Sequence, residues 1–162
     1  MKKKVYIETS IVSYLTGRPS RNLLVVAWQS LTTEWWENRR DAFELCTSKL
    51  VIEEASRGDI KAVQKRLKAL EEIPLLKLTD SAVELAKKLI TDRALPSKAT
   101  DDAVHIALAT VHSIDYLLTW NCRHIDNAEI KPLVRTVIVS EGYKCPEICT
   151  PQELLGGESN EK

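Results

Sequence analysis

The chain is predicted to fold as a parallel α/β sheet with helices on both faces, a three-layer α/β/α domain, on three observations. Short β-branched or aromatic runs alternate with amphipathic stretches along the sequence, the pattern of strands joined by helical crossovers. Its 162 residues, 44% of them hydrophobic, suffice for one sizeable core and are too few for two ordinary ones. No internal repeat or linker interrupts the alternation, and with only 5 Gly and 6 Pro the composition excludes collagen-like, low-complexity and disordered classes.

Lys4 to Ile7 is short, β-branched and aromatic, a first strand, and it runs directly into Glu8-Thr9-Ser10, where Ser10 can cap a helix through Leu15. Ser20 precedes a long amphipathic helix whose apolar positions are Leu23, Leu24, Ala27, Trp28, Leu31 and Trp35, and charge takes over at Glu37. Ala42 to Thr47 is a second strand. Ser48 caps a helix bearing Leu50, Val51, Glu54 and Ala55 that stops at Gly58, and Asp59 caps the next, whose Lys61, Lys65, Arg66 and Lys68 form a solvated basic face. Leu75 to Leu78 is a third strand after Pro74. Asp80 opens a helix that Leu95-Pro96-Ser97 breaks, and another runs from Lys98 to Val111. Tyr116 to Thr119 is the fourth strand, Asn127 to Ser140 a helix, Glu147 to Cys149 a last short strand, and Thr150-Pro151-Gln152-Glu153 a capping box. One domain is expected over 1–155, with a flexible tail over 156–162.

The 23 basic residues equal the 23 acidic ones, which argues against nucleic-acid binding by a bulk positive field but leaves room for an anionic centre neutralised by metal ions. Cysteines at 46, 122, 145 and 149 match neither zinc spacing nor a disulfide scaffold and read as reduced thiols. No segment has the length of a membrane helix, and Glu8 interrupts the apolar start, so neither a membrane span nor a signal peptide is read here and a cytoplasmic protein is expected.

In open parallel sheets ligands sit beyond the carboxyl ends of the strands. Glu8-Thr9-Ser10, Ser48 to Glu54 and Thr119-Trp120-Asn121 all lie there, and the helix before the fourth strand adds Asp101 and Asp102 to an otherwise small, apolar face. Glu54 and Asp102 each interrupt an apolar pattern. A buried carboxylate needs a partner, and a hard cation serves several acids at once. Carboxylates, an amide oxygen and hydroxyls suit Mg2+ or Mn2+, whose usual work in such a setting is phosphate-ester hydrolysis. Acids crowded together also repel one another without the ion, so neutralising Glu54 or Asp102 is expected to leave stability unchanged or raised. His105, one turn beyond the paired aspartates, reads as a packed helical residue, and Asp101 as an early-helix acid favoured by the helix dipole.

In the order of these pieces the chain resembles the PIN-domain family of metal-dependent nucleases, in particular the VapC-like toxins of prokaryotic toxin–antitoxin pairs. Glu8-Thr9-Ser10, Glu54 to Gly58, Asp102-Ala103 and Thr119-Trp120-Asn121 match the family pattern in turn. The resemblance implies a Mg2+- or Mn2+-dependent endoribonuclease, with Glu8, Glu54, Asp102 and Asn121 as metal-binding and catalytic residues and Ser10, Thr119 and Asp101 in secondary roles. It also implies a homodimer and a small antitoxin partner. Three positions depart from the pattern: the first acid is Glu8 where Asp is usual, Asn121 stands at the last acidic position, and His124 falls where many members carry another acid. Glu8, Asn121 and the neutral net charge favour a rival reading, a catalytically weak PIN domain that binds RNA or a protein.

Overall fold

The computed structural model describes residues 1–156; the tail expected over 156–162 lies, apart from Gly156, outside the described residues. They form five strands, β1 (Lys3–Ile7), β2 (Phe43–Ser48), β3 (Leu75–Leu76), β4 (Tyr116–Leu118) and β5 (Glu147–Cys149). All neighbours pair parallel, in the order β3-β2-β1-β4-β5. Seven α-helices fill the crossovers: α1 (Thr9–Thr16), α2 (Leu23–Asn38), α3 (Lys49–Ala55), α4 (Ile60–Leu70), α5 (Asp80–Thr91), α6 (Thr100–Val111) and α7 (Lys131–Ser140). Helices α1 to α4 pack among themselves, as do α5 to α7. Right-handed crossovers put the first group on one face, because β1, β2 and β3 march outward in one direction, and the second group on the other, because the chain then reverses across β1. This is the three-layer α/β/α fold class expected.

Being central and covered on both faces, β1 buries Val5, Tyr6 and Ile7 completely and shows no alternation. Helix α6 lies against the sheet through Ala103, Ile106, Ala107, Leu108 and Ala109, whose small side chains permit a close approach. Ser48 and Asp59 cap α3 and α4 through bonds to the amides of Val51 and Ala62, and Gly58 makes the turn between them at φ +101°. At the far end Thr150 and Glu153 form the expected capping box, on a short 3-10 helix over Pro151–Leu154.

Several local expectations are corrected. The cap of α1 is Glu8, whose carboxylate accepts from the Ser10 amide, rather than Ser10 itself. Asn22 caps α2, and Leu23 and Leu24, expected on its apolar face, are exposed because the helix turns Trp28, Leu31 and Trp35 to the core. Helix α7 starts at Lys131, four residues later than expected, because Asn127 spends its side chain on a turn, accepting from the amides of Glu129 and Ile130. Arg66 leaves the solvated basic face and donates to the carbonyls of Ala55 and Arg57 at the end of α3.

An aromatic cluster joins α1 and α2 to the loop after β4. Trp28 stacks on Trp120 with centroids 5.0 Å apart, Tyr14 meets both edge-on, and the Trp120 indole donates to Thr32 Oγ1 at 2.7 Å. Trp35, equally buried, has no acceptor for its Nε1 among the described residues.

Candidate metal centre

The strand order reverses between β1 and β4, and the side chains at issue converge at the carboxyl ends of these two strands. Glu8 follows β1 directly; its amide still donates to Leu118 O, at 3.2 Å, which holds the residue against β4. It is 6% exposed. Its Oε1 accepts from the Ser10 amide at 3.2 Å, the Ser10 hydroxyl at 2.5 Å and the Thr119 hydroxyl at 2.6 Å. Three donors fill that oxygen and fix the rotamer, while Oε2 meets no protein donor among the described residues. Ser10 and Thr119 are in turn held by the amides of Trp120 and Asn121, at 2.8 and 2.9 Å.

Glu54 arrives from the last turn of α3. Its Oε1 accepts from Thr9 Oγ1 at 2.6 Å and from His105 Nε2 at 2.7 Å, and its Oε2 is likewise without a protein donor among the described residues. His105 is wholly buried, and its Nδ1 lies 2.7 Å from Tyr6 Oη, which sits 2.7 Å from Ser48 Oγ. A buried chain therefore runs from the capping serine of α3 through a strand tyrosine and a helix histidine to the acid at the other end of α3. One ligand-capable atom from each of Glu8, Glu54 and His105 lies within 4.8 Å of the other two. Both ring nitrogens of His105 are already engaged, so it enters the group as the partner of Glu54 and the oxygens remain for a cation.

Asp102, in the first turn of α6, lies outside that group of three. Its Oδ1 accepts from Asn121 Nδ2 and its Oδ2 faces His124 Nδ1, each at 3.1 Å. Asp101 beside it is exposed and makes no side-chain bond to the centre among the described residues. The structure thus brings Glu8 and Glu54 together, sets Ser10 and Thr119 on Glu8, and pairs Asn121 with Asp102. Packing was expected of His105 and is found; its bond to Glu54 was missed, as were Tyr6, Thr9 and Ser48. The available signal was that a tyrosine on a fully apolar strand must find a buried partner for its hydroxyl.

The two acids feel opposite fields. Burial works against the charge on Glu54, but the bond to His105, the charge of that ring and the Thr9 hydroxyl outweigh it, and the pKa falls below the ordinary glutamate value. Burial dominates at Asp102 and raises its pKa despite His105 and His124. Burial depresses His105, but Glu54, Glu8 and Asp102 together lift its pKa above the usual histidine range, and burial holds the Tyr6 phenol protonated. The expectation that neutralising either acid leaves stability unchanged or raised therefore needs correction at Glu54, whose charge is stabilised by its neighbours.

The donor set fits a hard divalent cation: two free carboxylate oxygens, each on a side chain whose other oxygen is anchored, with no free imidazole or thiolate in the group. A family model described as PIN domain matches residues 5–129, a span that takes in Glu8, Glu54, Asp102, Asn121 and His124. No curated protein matches the chain significantly.

Proposed function

The chain belongs to the PIN-domain family, generally nucleases, and on that premise we propose that it is a metal-dependent endoribonuclease, the toxin of a type II toxin–antitoxin pair. The observation that carries the reading is the pairing of Glu8 and Glu54 at the reversal of strand order, each with one oxygen bound by the protein and one left open. In this reading Glu8, Glu54 and Asp102 hold Mg2+ or Mn2+. A bound ion would supply an activated water and stabilise the leaving oxygen of a phosphodiester. Ser10 and Thr119 orient Glu8, Thr9 and His105 orient Glu54, and the lowered pKa of Glu54 keeps it ionised at neutral pH. Residues 1–155 act as the nuclease unit, as a cytoplasmic homodimer, and a small antitoxin covers the site. No helix among the described residues is long and apolar enough to cross a membrane.

The test is cleavage of a mixed pool of structured and unstructured RNAs. Wild-type protein is expected to cut with Mg2+ or Mn2+, poorly with Ca2+ and not with EDTA, and Glu54→Gln and Asp102→Asn are expected to be inactive. Full activity in either variant would refute the site. A second reading, a catalytically weak PIN domain that binds RNA or protein, is favoured by the engagement of the Asn121 amide oxygen with two backbone amides, where the family pattern has an acid. Metal-independent RNA binding without cleavage would establish it.

A further inference from the structure

We propose that Asn121 and His124 are positioning residues that clamp Asp102 rather than metal ligands, and that with no further oxygen ligand from either position the centre takes a single ion. The inference rests on the metal-dependent reading above.

Asn121 Oδ1 accepts from the amides of Arg123 and His124, at 3.2 and 3.0 Å. Two lone pairs meet two donors, which leaves no amide oxygen for a hard cation. The same bonds fix the orientation of the side chain, since a flipped amide would set its NH2 group against two N–H donors. Nδ2 is thereby aimed at Asp102 Oδ1, at 3.1 Å. The turn that Asn121 folds also carries His124, whose Nδ1 stands 3.1 Å from Asp102 Oδ2; a ring nitrogen facing an ionised carboxylate carries the proton.

Each Asp102 oxygen thus takes one donor from one loop and keeps one lone pair, whereas Glu8 and Glu54 each keep an oxygen wholly clear. Paired-metal sites hold their ions about 3.5–4 Å apart and need oxygen ligands for both. Beside Asp102 a second ion would find no further oxygen ligand from this loop, since the Asn121 amide oxygen is filled and neither residue 121 nor residue 124 is a carboxylate. The arrangement serves one ion, with Asp102 fixed in place as outer-shell partners fix a ligand.

Metal-free full-length protein titrated with Mn2+ and followed by electron paramagnetic resonance tests this. One Mn2+ per chain is expected. Asn121→Ala and His124→Ala are each expected to weaken Mn2+ binding by about 10–100-fold, the usual loss when such partners are removed. His124→Asn is expected to retain wild-type affinity, because Asn Nδ2 reaches the place of His Nδ1. His124 is half-buried and outside the core, so its variants keep the test open if Asn121→Ala fails to fold. In an Asp102→Asn background neither alanine substitution should weaken binding further. Two ions per wild-type chain, losses that add to that of Asp102→Asn, or His124→Asn as damaging as His124→Ala would each overturn the clamp and leave metal-dependent cleavage standing. A wild-type chain that binds no Mn2+ at all would overturn both.

Discussion

Removing the charge from Glu54 and from Asp102 should move metal-free stability in opposite directions. Glu54 Oε1 takes two bonds, from Thr9 and His105, that are strong because the acceptor is ionised. Glu54→Gln keeps an acceptor there but removes the acceptor's charge from both bonds; at about 1 kcal/mol lost for each, the cost is about 2 kcal/mol. In a chain of this size that lowers Tm by about 4–8 °C. Because the folded pKa of Glu54 lies below the unfolded value, its contribution is complete above the ordinary glutamate pKa and is lost as pH falls through the folded value. The gap between wild type and Glu54→Gln should therefore close in acid. Asp102 has the reverse sign: its raised pKa makes the ionised form a cost at neutral pH that disappears as pH falls. Asp102→Asn retains acceptor and donor positions toward Asn121 and His124, and it should be neutral or stabilising by up to about 1 kcal/mol at pH 7. Thermal melts by circular dichroism in EDTA from pH 4 to pH 8 measure both. If the two variants shift Tm in the same direction at pH 7, or if the Glu54→Gln deficit is as large at pH 4 as at pH 7, the assignment of opposite fields is wrong.

Glu8→Asp withdraws the carboxylate by about 1.3 Å from three donors and from the ion; calorimetric titration should show weaker binding of both metals and a shift of preference toward Mn2+, and unchanged affinities in Glu8→Asp and Glu8→Gln alike would make Glu8 a purely structural cap. Trp35→Phe deletes a buried donor that has no acceptor, recovering about 1–3 kcal/mol against the lost indole packing; its denaturation midpoint should stay close to wild type, whereas Trp120→Phe, which breaks a 2.7 Å bond to Thr32, should be clearly lower. In timed thiol modification of the native protein, exposed Cys122 should react first and half-buried Cys145 later, while Cys46 and Cys149, both buried with pKa values pushed up to about 12, should react only on unfolding. Rapid labelling of Cys149 in the native state would contradict its placement on β5.

How far the sequence could be read depended on whether the deciding interactions were local. Glu147 to Cys149 and the capping box at Thr150 were legible because alternation and a three-residue spacing suffice to define them. The cap of α1 was misread, since Ser10 has the local preference of a cap, and the choice is made by Thr119, which reaches Glu8 across 111 residues. Glu54 and Asp102 stood out because an acid in an apolar face needs a reason to be there. His105 did not stand out, because a single histidine among alanines and isoleucines looks the same whether its ring nitrogens meet a backbone carbonyl or a carboxylate from another helix. Only the fold puts Tyr6 on one side of it and Glu54 on the other.

The central strand of the sheet is made first and completed late. β1 pairs with β2, about 40 residues away, but the hydroxyl that finishes the shell around Glu8 belongs to Thr119. At the usual pace of synthesis, about 5–20 residues per second, roughly 6 to 22 s separate the two. Throughout that interval a nascent chain carries Glu8, and later Glu54, without Asp102 and Asn121 or without the strand that holds them in line, and truncations ending before Thr119 are expected to bind no Mn2+. Here the order of strands acts as a delay, withholding the finished shell of Glu8 until Thr119 has been made.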